Sequence, residues 1–447
     1  MSDTIAAVAT ASGVGSVAIV RVSGPQAPSI ARKITGKETL KPRHAHLLPL
    51  RDTAGALIDE GIVIWFKAPH SFTTEEVVEF QCHGGQIVAE KILDTVVAHG
   101  ARLAEPGEFT RRAYLGGRID LTEAEAIAKL IEAKSEEGAK ILARQMKGEL
   151  KAFVEELREK LLRAIAFAEV TIDYAEEDLP EDIKEQIKTQ LEQMTRQIDR
   201  IVRTSLRRRG MIEGFKVAIV GKPNVGKSSL LNAMLDYERA IVSDIAGTTR
   251  DTIEEQLRIG SHLVRIVDTA GIREASDTIE KIGVDRSMKA IEESDIVLAL
   301  FDAGRPLDEE DRRLIQLLNE AKEQKEILVL LNKTDLPRRI DETPLQSFNP
   351  VALPKENKGE FVIDLLEKRL NRIAQGDEMM LISNRQIEAV KGAKAAIEAA
   401  EEPLEMGELE LFAFHLQEAV ERIGSISRPA DFNEIMDKMF GEFCLGK

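Results

Sequence analysis

Apolar positions along the chain fall into blocks with different spacings. Residues 1–117 carry short apolar runs at 16–22 (SVAIVRV), 61–66 and 77–82, parted by turn-prone stretches such as Ser23-Gly24-Pro25 and Glu105-Pro106-Gly107. Runs of that length bounded by Gly and Pro predict strands, so this block reads as a mixed α+β domain. From about residue 121 to 209 Gly and Pro thin out, and Glu, Lys, Ala and Leu dominate. Leu142, Met146, Leu150, Phe153 and Leu157 recur at three- and four-residue spacings, which predicts a long amphipathic helix over 136–170. Pro180 opens a second helical stretch that ends near Gly210, and the same texture returns at about 382–421. Between these blocks the pattern alternates. Apolar runs at 216–220, 263–267, 296–301 and 327–331 are separated by helical patterns, which predicts a doubly wound parallel sheet. The expected organisation is an N-terminal domain over 1–117, a discontinuous all-α domain from 118–212 and 373–447, and an inserted α/β domain over 213–372.

Composition narrows the class. With 447 residues, 43% hydrophobic and 31% charged, the chain is globular and long enough for about three domains. Only 4% of residues are aromatic, so its cores must come from Leu, Ile, Val and Ala. The net charge of −16 argues against a protein that coats nucleic acid nonspecifically, while leaving room for a local basic patch that docks one RNA. Two cysteines, Cys82 and Cys444, make no disulfide framework and fit a reducing compartment. No apolar run approaches the ~20 residues of a membrane span, and the first ten residues lack a signal peptide's regions. The expectation is a soluble, cytoplasmic protein without a membrane partner. His83 has no ligand partners at metal spacing, so no zinc site is expected.

The strongest chemistry lies in the insert. Residues 215–220 run straight into Gly221-Lys222-Pro223-Asn224-Val225-Gly226-Lys227-Ser228, a G-x-x-x-x-G-K-S before an apolar helix. Its glycines let successive N–H groups turn toward a phosphate. Lys227 supplies charge to the β- and γ-phosphates, and Ser228 can ligate Mg²⁺. Asp268-Thr269-Ala270-Gly271 follows the run 263–267, where Asp268 can reach the metal's outer shell and the Gly271 N–H the γ-phosphate. Asn332-Lys333-Thr334-Asp335 follows the run 327–331. The Asp335 carboxylate can accept from both N1–H and the exocyclic amine of guanine, which adenine does not offer, so the nucleotide should be GTP. Val351-Ala352-Leu353 stands where a guanine O6 partner would come from the backbone. Gly247-Thr248-Thr249-Arg250-Asp251 lies between the two phosphate motifs, and Thr249 is assigned to complete the Mg²⁺ shell.

Ile272 occupies the place where Ras-like enzymes carry the Gln that orients the attacking water. Ile cannot polarise water, so a carboxylate further on must do so, and Glu274, Asp277 and Glu280 are the candidates. Neither Arg250 nor Arg273 recommends itself as an arginine finger. Asn224 inside the P-loop suggests a monovalent cation as another source of charge along the phosphates.

Taken together, GKPNVGKSS, the string IAGTTRD over 245–251, DTAGIREAS over 268–276, Gly84-Gly85, Pro106-Gly107-Glu108-Phe109, LTEAEA over 121–126 and the terminal Cys444-Leu445-Gly446-Lys447 resemble the tRNA modification GTPases of the MnmE (TrmE) type. The resemblance covers the whole chain. It implies a K⁺-stimulated GTPase whose Ras-like G domains pair face to face across their nucleotides. K⁺ would be held by Asn224, Ser243, Ile245 and Thr248, with Glu280 orienting the attacking water. Nucleotide contacts would fall on Asn224 to Ser229 (Val225, Gly226, Lys227 and Ser228 between them), on Ser243, Asp244, Ile245, Ala246, Gly247, Thr248 and Thr249, and on the two later motifs. It further implies an N-terminal domain that binds tetrahydrofolate, as the 5-formyl or a related form, through Arg21, Glu79, Arg118 and Lys447, and that makes a homodimer. The partners would be an FAD-containing MnmG (GidA)-type protein and tRNA, with C5 of the wobble uridine as the site modified.

Spacing alone would not select those N-terminal residues. Arg21 and Glu79 sit in short strand patterns, where a lone charge reads as a surface group. Cys444 can serve as a nucleophile or general acid/base, although an ordinary thiol pKa near ~8.5 leaves it protonated unless neighbours shift it. Arg207-Arg208-Arg209 reads as a solvated helix terminus complementing its own dipole. The rival function is a regulatory GTPase of the ribosome-assembly kind. It would need an RNA-binding module such as a KH domain, and no GXXG loop stands in such a context.

Overall fold

A computed structural model of the chain describes residues 3–133, 135–173, 181–241, 255–267, 282–376, 378–428 and 446. Its internal contacts gather into two compact units, Met1–Ala128 with Gln145–Lys184 and Ala395–Lys447, and Lys129–Arg144 with Glu185–Lys394.

The first unit begins with six strands, β1 (Ile5–Val8), β2 (Val17–Ser23), β3 (His46–Arg51), β4 (Leu57–Phe66), β5 (Val77–His83) and β6 (Arg102–Leu103). They form one sheet in the order β3-β4-β5-β2-β1-β6, antiparallel except where β6 runs parallel to β1. Alternation decides the two faces. Val20, Val22, Val78 and Phe80 pack under the helices Ala27–Thr35 and Gln86–Ala98, joining Ile30, Ile34 and Ile92 in one core. The neighbours of those strand residues, Arg21 and Glu79, therefore point to the opposite face, where Ile5, Ala7, Ala104, Phe109 and Phe72 form a smaller cluster. Further along the chain the helix Glu149–Asp173 packs against Leu409–Ser427, burying Phe153, Leu157 and Leu161 on one and Phe412, Leu416 and Ile423 on the other. The single helix expected over 136–170 is two helices, Glu136–Gln145 and Glu149–Asp173. Gly148 at φ +85° interrupts them, so the apolar spacing continues across a break that periodicity does not register.

In the second unit the strands β7 (Phe215–Val220), β8 (Glu255–Ile259), β9 (His262–Val267), β10 (Ile296–Asp302), β11 (Glu326–Asn332) and β12 (Val351–Ala352) form a sheet in the order β12-β11-β10-β7-β9-β8. The four expected apolar runs are β7, β9, β10 and β11, all parallel. One face of the sheet packs on Lys227–Ile241 and Lys358–Ala374, the other on Ile282–Glu293 and Glu309–Ala321, which is the doubly wound arrangement. The edge strand β8 departs from the all-parallel expectation. It pairs antiparallel with β9 across Gly260-Ser261, a two-residue turn with Gly260 at φ +57°, the conformation that closes a tight hairpin.

Candidate functional site

The P-loop leaves the carboxyl end of β7, a strand buried along nearly its whole length, and opens the helix Lys227–Ile241. Asn224 sits at φ +62° and Gly226 at φ +105°, backbone conformations of the kind that let the N–H groups of a loop gather around an anion. Lys227 folds back over this crown, donating to the carbonyls of Gly221 (2.7 Å) and Lys222 (2.8 Å). Burial lowers its pKa from the ordinary lysine value. Its ammonium thus lies where anionic phosphates would compensate it. Ser229 Oγ lies 3.4 Å from Lys358 Nζ.

The second nucleotide motif arrives on β11, two strands away from β7 across β10. Asn332 ends β11, and its Nδ2 donates to the Val225 carbonyl at 2.7 Å, tying the base-binding loop to the phosphate-binding loop. The fit leaves no room, because a Cβ on Gly226 would fall on Asn332 Nδ2. Lys333 takes φ +58°, and its Nζ donates to Asp302 Oδ2 at 2.7 Å. Burial alone would raise the Asp302 carboxyl, but the Lys333 ammonium and the Gly304 N–H outweigh it and hold the group below the ordinary carboxylate value. Asp335 is partly exposed, with Lys355 Nζ 3.9 Å away, and keeps acceptor capacity toward a base. Leu353 N–H donates to the Leu331 carbonyl (2.8 Å), and Thr334 Oγ1 donates to the Leu353 carbonyl (2.7 Å), which fastens the segment 351–353 to this loop.

A separate cluster stands on the open face of the N-terminal sheet. Arg21 and Glu79 are opposite each other on β2 and β5, and Arg21 Nε donates to Glu79 Oε1 at 2.9 Å. Their side chains are only 18% and 15% exposed, which corrects the reading of both as surface charges. Tertiary burial against two phenylalanines is the reason. The Arg21 guanidinium lies 5.6 Å from the Phe109 ring centroid and 5.9 Å from that of Phe72. Arg118 approaches the same Phe72 ring at 5.8 Å and donates to the Ser71 carbonyl. Two guanidiniums, a carboxylate and an aromatic ring thus converge, a donor set suited to a flat, polar-edged ring carrying carboxylates. Phe72 escaped sequence reasoning because nothing in its spacing sets it apart. Gly446 lies against β1, where a Cβ would run into the Val8 carbonyl, and the register pairs the adjacent Ala7 with Arg21.

Glu280, Glu274 and Asp277, residues 243–249, 268–271, Cys444 and Lys447 lie outside the described residues. The arginine triplet is corrected. Arg208 is 5% exposed rather than solvated, and its guanidinium donates to the carbonyls of Ile373 (3.0 Å), Gln375 and Gly376 (3.1 Å). It complements the dipole of Lys358–Ala374, a helix distant in sequence, instead of its own. Arg209 turns to Glu213 (2.8 Å) and Asn384 (3.1 Å), and it and Arg207 keep the expected exposure.

A G-x-x-x-x-G-K-S loop opening a helix, an Asn-Lys-x-Asp loop bonded to it, and a doubly wound sheet beneath both define a P-loop protein that binds guanine nucleotide. Residues 4–118 match the family model described as "GTP-binding protein TrmE N-terminus" and residues 121–444 the "MnmE helical domain". A protein of a Sulfurovum species named "tRNA modification GTPase MnmE" is 61% identical over 447 residues, covering 100% of this chain and 99% of that protein. Proteins of the same name from a Nitratiruptor species and from Sulfurimonas denitrificans are 59% and 57% identical, with 100% of this chain and 99% of each relative covered. The chain belongs to the MnmE family of tRNA modification GTPases. A solved structure of Era in complex with MgGDPNP and a ribosomal RNA fragment aligns at 24% identity with a TM-score of 0.25, covering 41% of this chain and 66% of that one, too loosely to add to this.

Proposed function

We propose that this chain couples GTP hydrolysis to modification of tRNA. In this reading it works with an FAD-dependent MnmG (GidA)-type partner to install an aminomethyl or carboxymethylaminomethyl group on C5 of the wobble uridine, position 34. A tetrahydrofolate carries the one-carbon unit. The observation that carries the reading is the convergence on Phe72 of Arg118 and of Arg21, itself bonded to Glu79, in a chain that also carries the phosphate and guanine loops. A switch without chemistry of its own, such as a ribosome-assembly GTPase, has no use for such a cluster.

In the nucleotide site the Lys227 ammonium would face the β- and γ-phosphates from its place on the loop, and Asp335 would select guanine. Mg²⁺ bound through Ser228 and Thr249 would neutralise charge that develops on the phosphates. K⁺ would be held by Asn224, whose left-handed backbone lies at the crown of the loop, together with Ser243, Ile245 and Thr248. Glu280 orients the attacking water, and the homodimer brings the nucleotide sites together. In the N-terminal domain Arg21, Arg118 and Lys447 offer positive charge to the folate's carboxylates, and Glu79 offers an acceptor to its ring. Localisation in the cytoplasm follows from this reading, since the tRNA and one-carbon pools are there.

The deciding experiment is a nucleoside analysis of tRNA from a strain lacking the chain. C5-modified wobble uridine should disappear and return with the wild-type gene. Its persistence would overturn the proposal. GTP turnover of the purified chain in K⁺ should exceed that in Na⁺.

A further inference from the structure

The phosphate loop and the guanine loop are tied together by two routes. The inner one is the Asn332–Val225 hydrogen bond. The outer one runs through charges in the loop and helix after β10, which neither nucleotide motif contains. Lys222, its side chain only 13% exposed, seats its ammonium on Asp308 and on Glu310 (3.1 Å). Asp308 caps the helix Glu309–Ala321 in a reciprocal box with Asp311, each carboxylate accepting the other's N–H at 3.2 Å. Lys222 is the main reason that the Asp308 carboxyl is held down to about 2. Asp311 Oδ1 then stands 3.7 Å from Arg305 Nη2, and Arg305 Nε stands 4.0 Å from Asp302 Oδ2. That same Asp302 oxygen accepts from Lys333 of the guanine loop at 2.7 Å.

Every link in this chain is a hydrogen bond except the two made by Arg305. Its Nε and Nη2 are buried without a hydrogen-bond partner among the described residues. A buried guanidinium nitrogen without a hydrogen-bond partner is costly, and the two carboxylates that would satisfy it stand at 3.7 and 4.0 Å, ion pairs just beyond hydrogen-bond distance. The loop is therefore set to gain two charge-assisted bonds from a small approach of its two ends.

We propose that Arg305 is a positioning residue that closes on Asp302 and Asp311 when a guanine nucleotide draws the phosphate and guanine loops together, and so fixes nucleotide residence and base discrimination. The proposal rests on the guanine-nucleotide reading of the site. Through these two atoms Arg305 makes only the ion pairs to Asp302 and Asp311 and no hydrogen bond, so its removal should cost the fold little. In the bound chain its removal loosens the loop that carries Lys333 and Asp335.

The test uses the full-length chain, fluorescent GTP and GDP analogues with stopped-flow release, ITP as competitor, and thermal melts with and without nucleotide. Arg305→Gln should release both guanine nucleotides about tenfold faster, the worth of one charge-assisted hydrogen bond, and lower the preference for GTP over ITP. Melting of its nucleotide-free form should stay near the parental value. Arg305→Lys keeps the charge but not the planar fork and should release nucleotide about threefold faster. A lowered melting point of the nucleotide-free chain, with release rates and GTP preference within about twofold of the parent, would mean a merely structural arginine. If Arg305→Gln fails to fold, parental release by Arg305→Lys refutes the proposal. A parental chain that binds no GTP overturns the nucleotide reading beneath it, a failure readily told apart.

Discussion

Gly226→Ala tests the geometry of the nucleotide site most directly. The backbone at this position has φ +105°, a conformation that L side chains rarely adopt, at a cost of about 1–3 kcal/mol. The added methyl also falls on Asn332 Nδ2 and must displace the side chain that donates to the Val225 carbonyl at 2.7 Å. Losing that buried bond costs a further ~1–3 kcal/mol. Together roughly 2–6 kcal/mol is taken from the nucleotide-competent loop, and even ~3 kcal/mol is about a hundredfold in affinity. Titration with a fluorescent GTP analogue reads that loss, and a melt of the nucleotide-free chain shows how much falls on folding. Adding Asn332→Ala should cost less in the Gly226→Ala background than alone, because both changes break the same tie. If Gly226→Ala binds GTP within about threefold of the parent and melts normally, the close approach of the two loops is not what holds the nucleotide.

Asp335→Asn replaces a double acceptor by a side chain that also donates, so preference should move from GTP toward xanthosine triphosphate; undiminished GTP binding would count against the guanine assignment. Glu280→Ala should keep GTP affinity and lose most turnover in K⁺, whereas Asn224→Ala should lose the response to K⁺ with the phosphates still held by the loop backbone; parental hydrolysis by the glutamate variant moves the catalytic role to Glu274 or Asp277. Asp302, held below the ordinary carboxylate value against the effect of its burial by Lys333 and the Gly304 N–H, stabilises the fold at neutral pH, and this contribution is lost as pH falls below the ordinary carboxylate range. Unfolding midpoints followed from pH 7 into acid should drop less steeply in Asp302→Asn than in the parent, and parallel curves would refute the linkage.

The sequence by itself determined much of the G domain. The apolar runs 216–220, 263–267, 296–301 and 327–331 are continuous because a parallel strand is buried on both faces, and that burial leaves no polar alternation to misread. The P-loop and Asn332-Lys333-Thr334-Asp335 were legible for a related reason. Each motif is local, and its chemistry follows from residue types at fixed spacing. Other features required partners far away along the chain. Arg208 reads as a solvated charge until the carbonyls ending Lys358–Ala374 fold onto it, more than 160 residues later. Arg21 reads as a surface group until β5 sets Glu79 beside it and Phe72 and Phe109 cover its plane. The break at Gly148 lies within an uninterrupted apolar spacing, because periodicity records which face is buried and not whether the helix that buries it is continuous. Arg305 stands last in that order. A lone arginine after a strand carries no signal, and its place between Asp302 and Asp311 exists only because β10, its loop and the capped helix after it converge there, where the cost of burying charge requires each one to face its opposite.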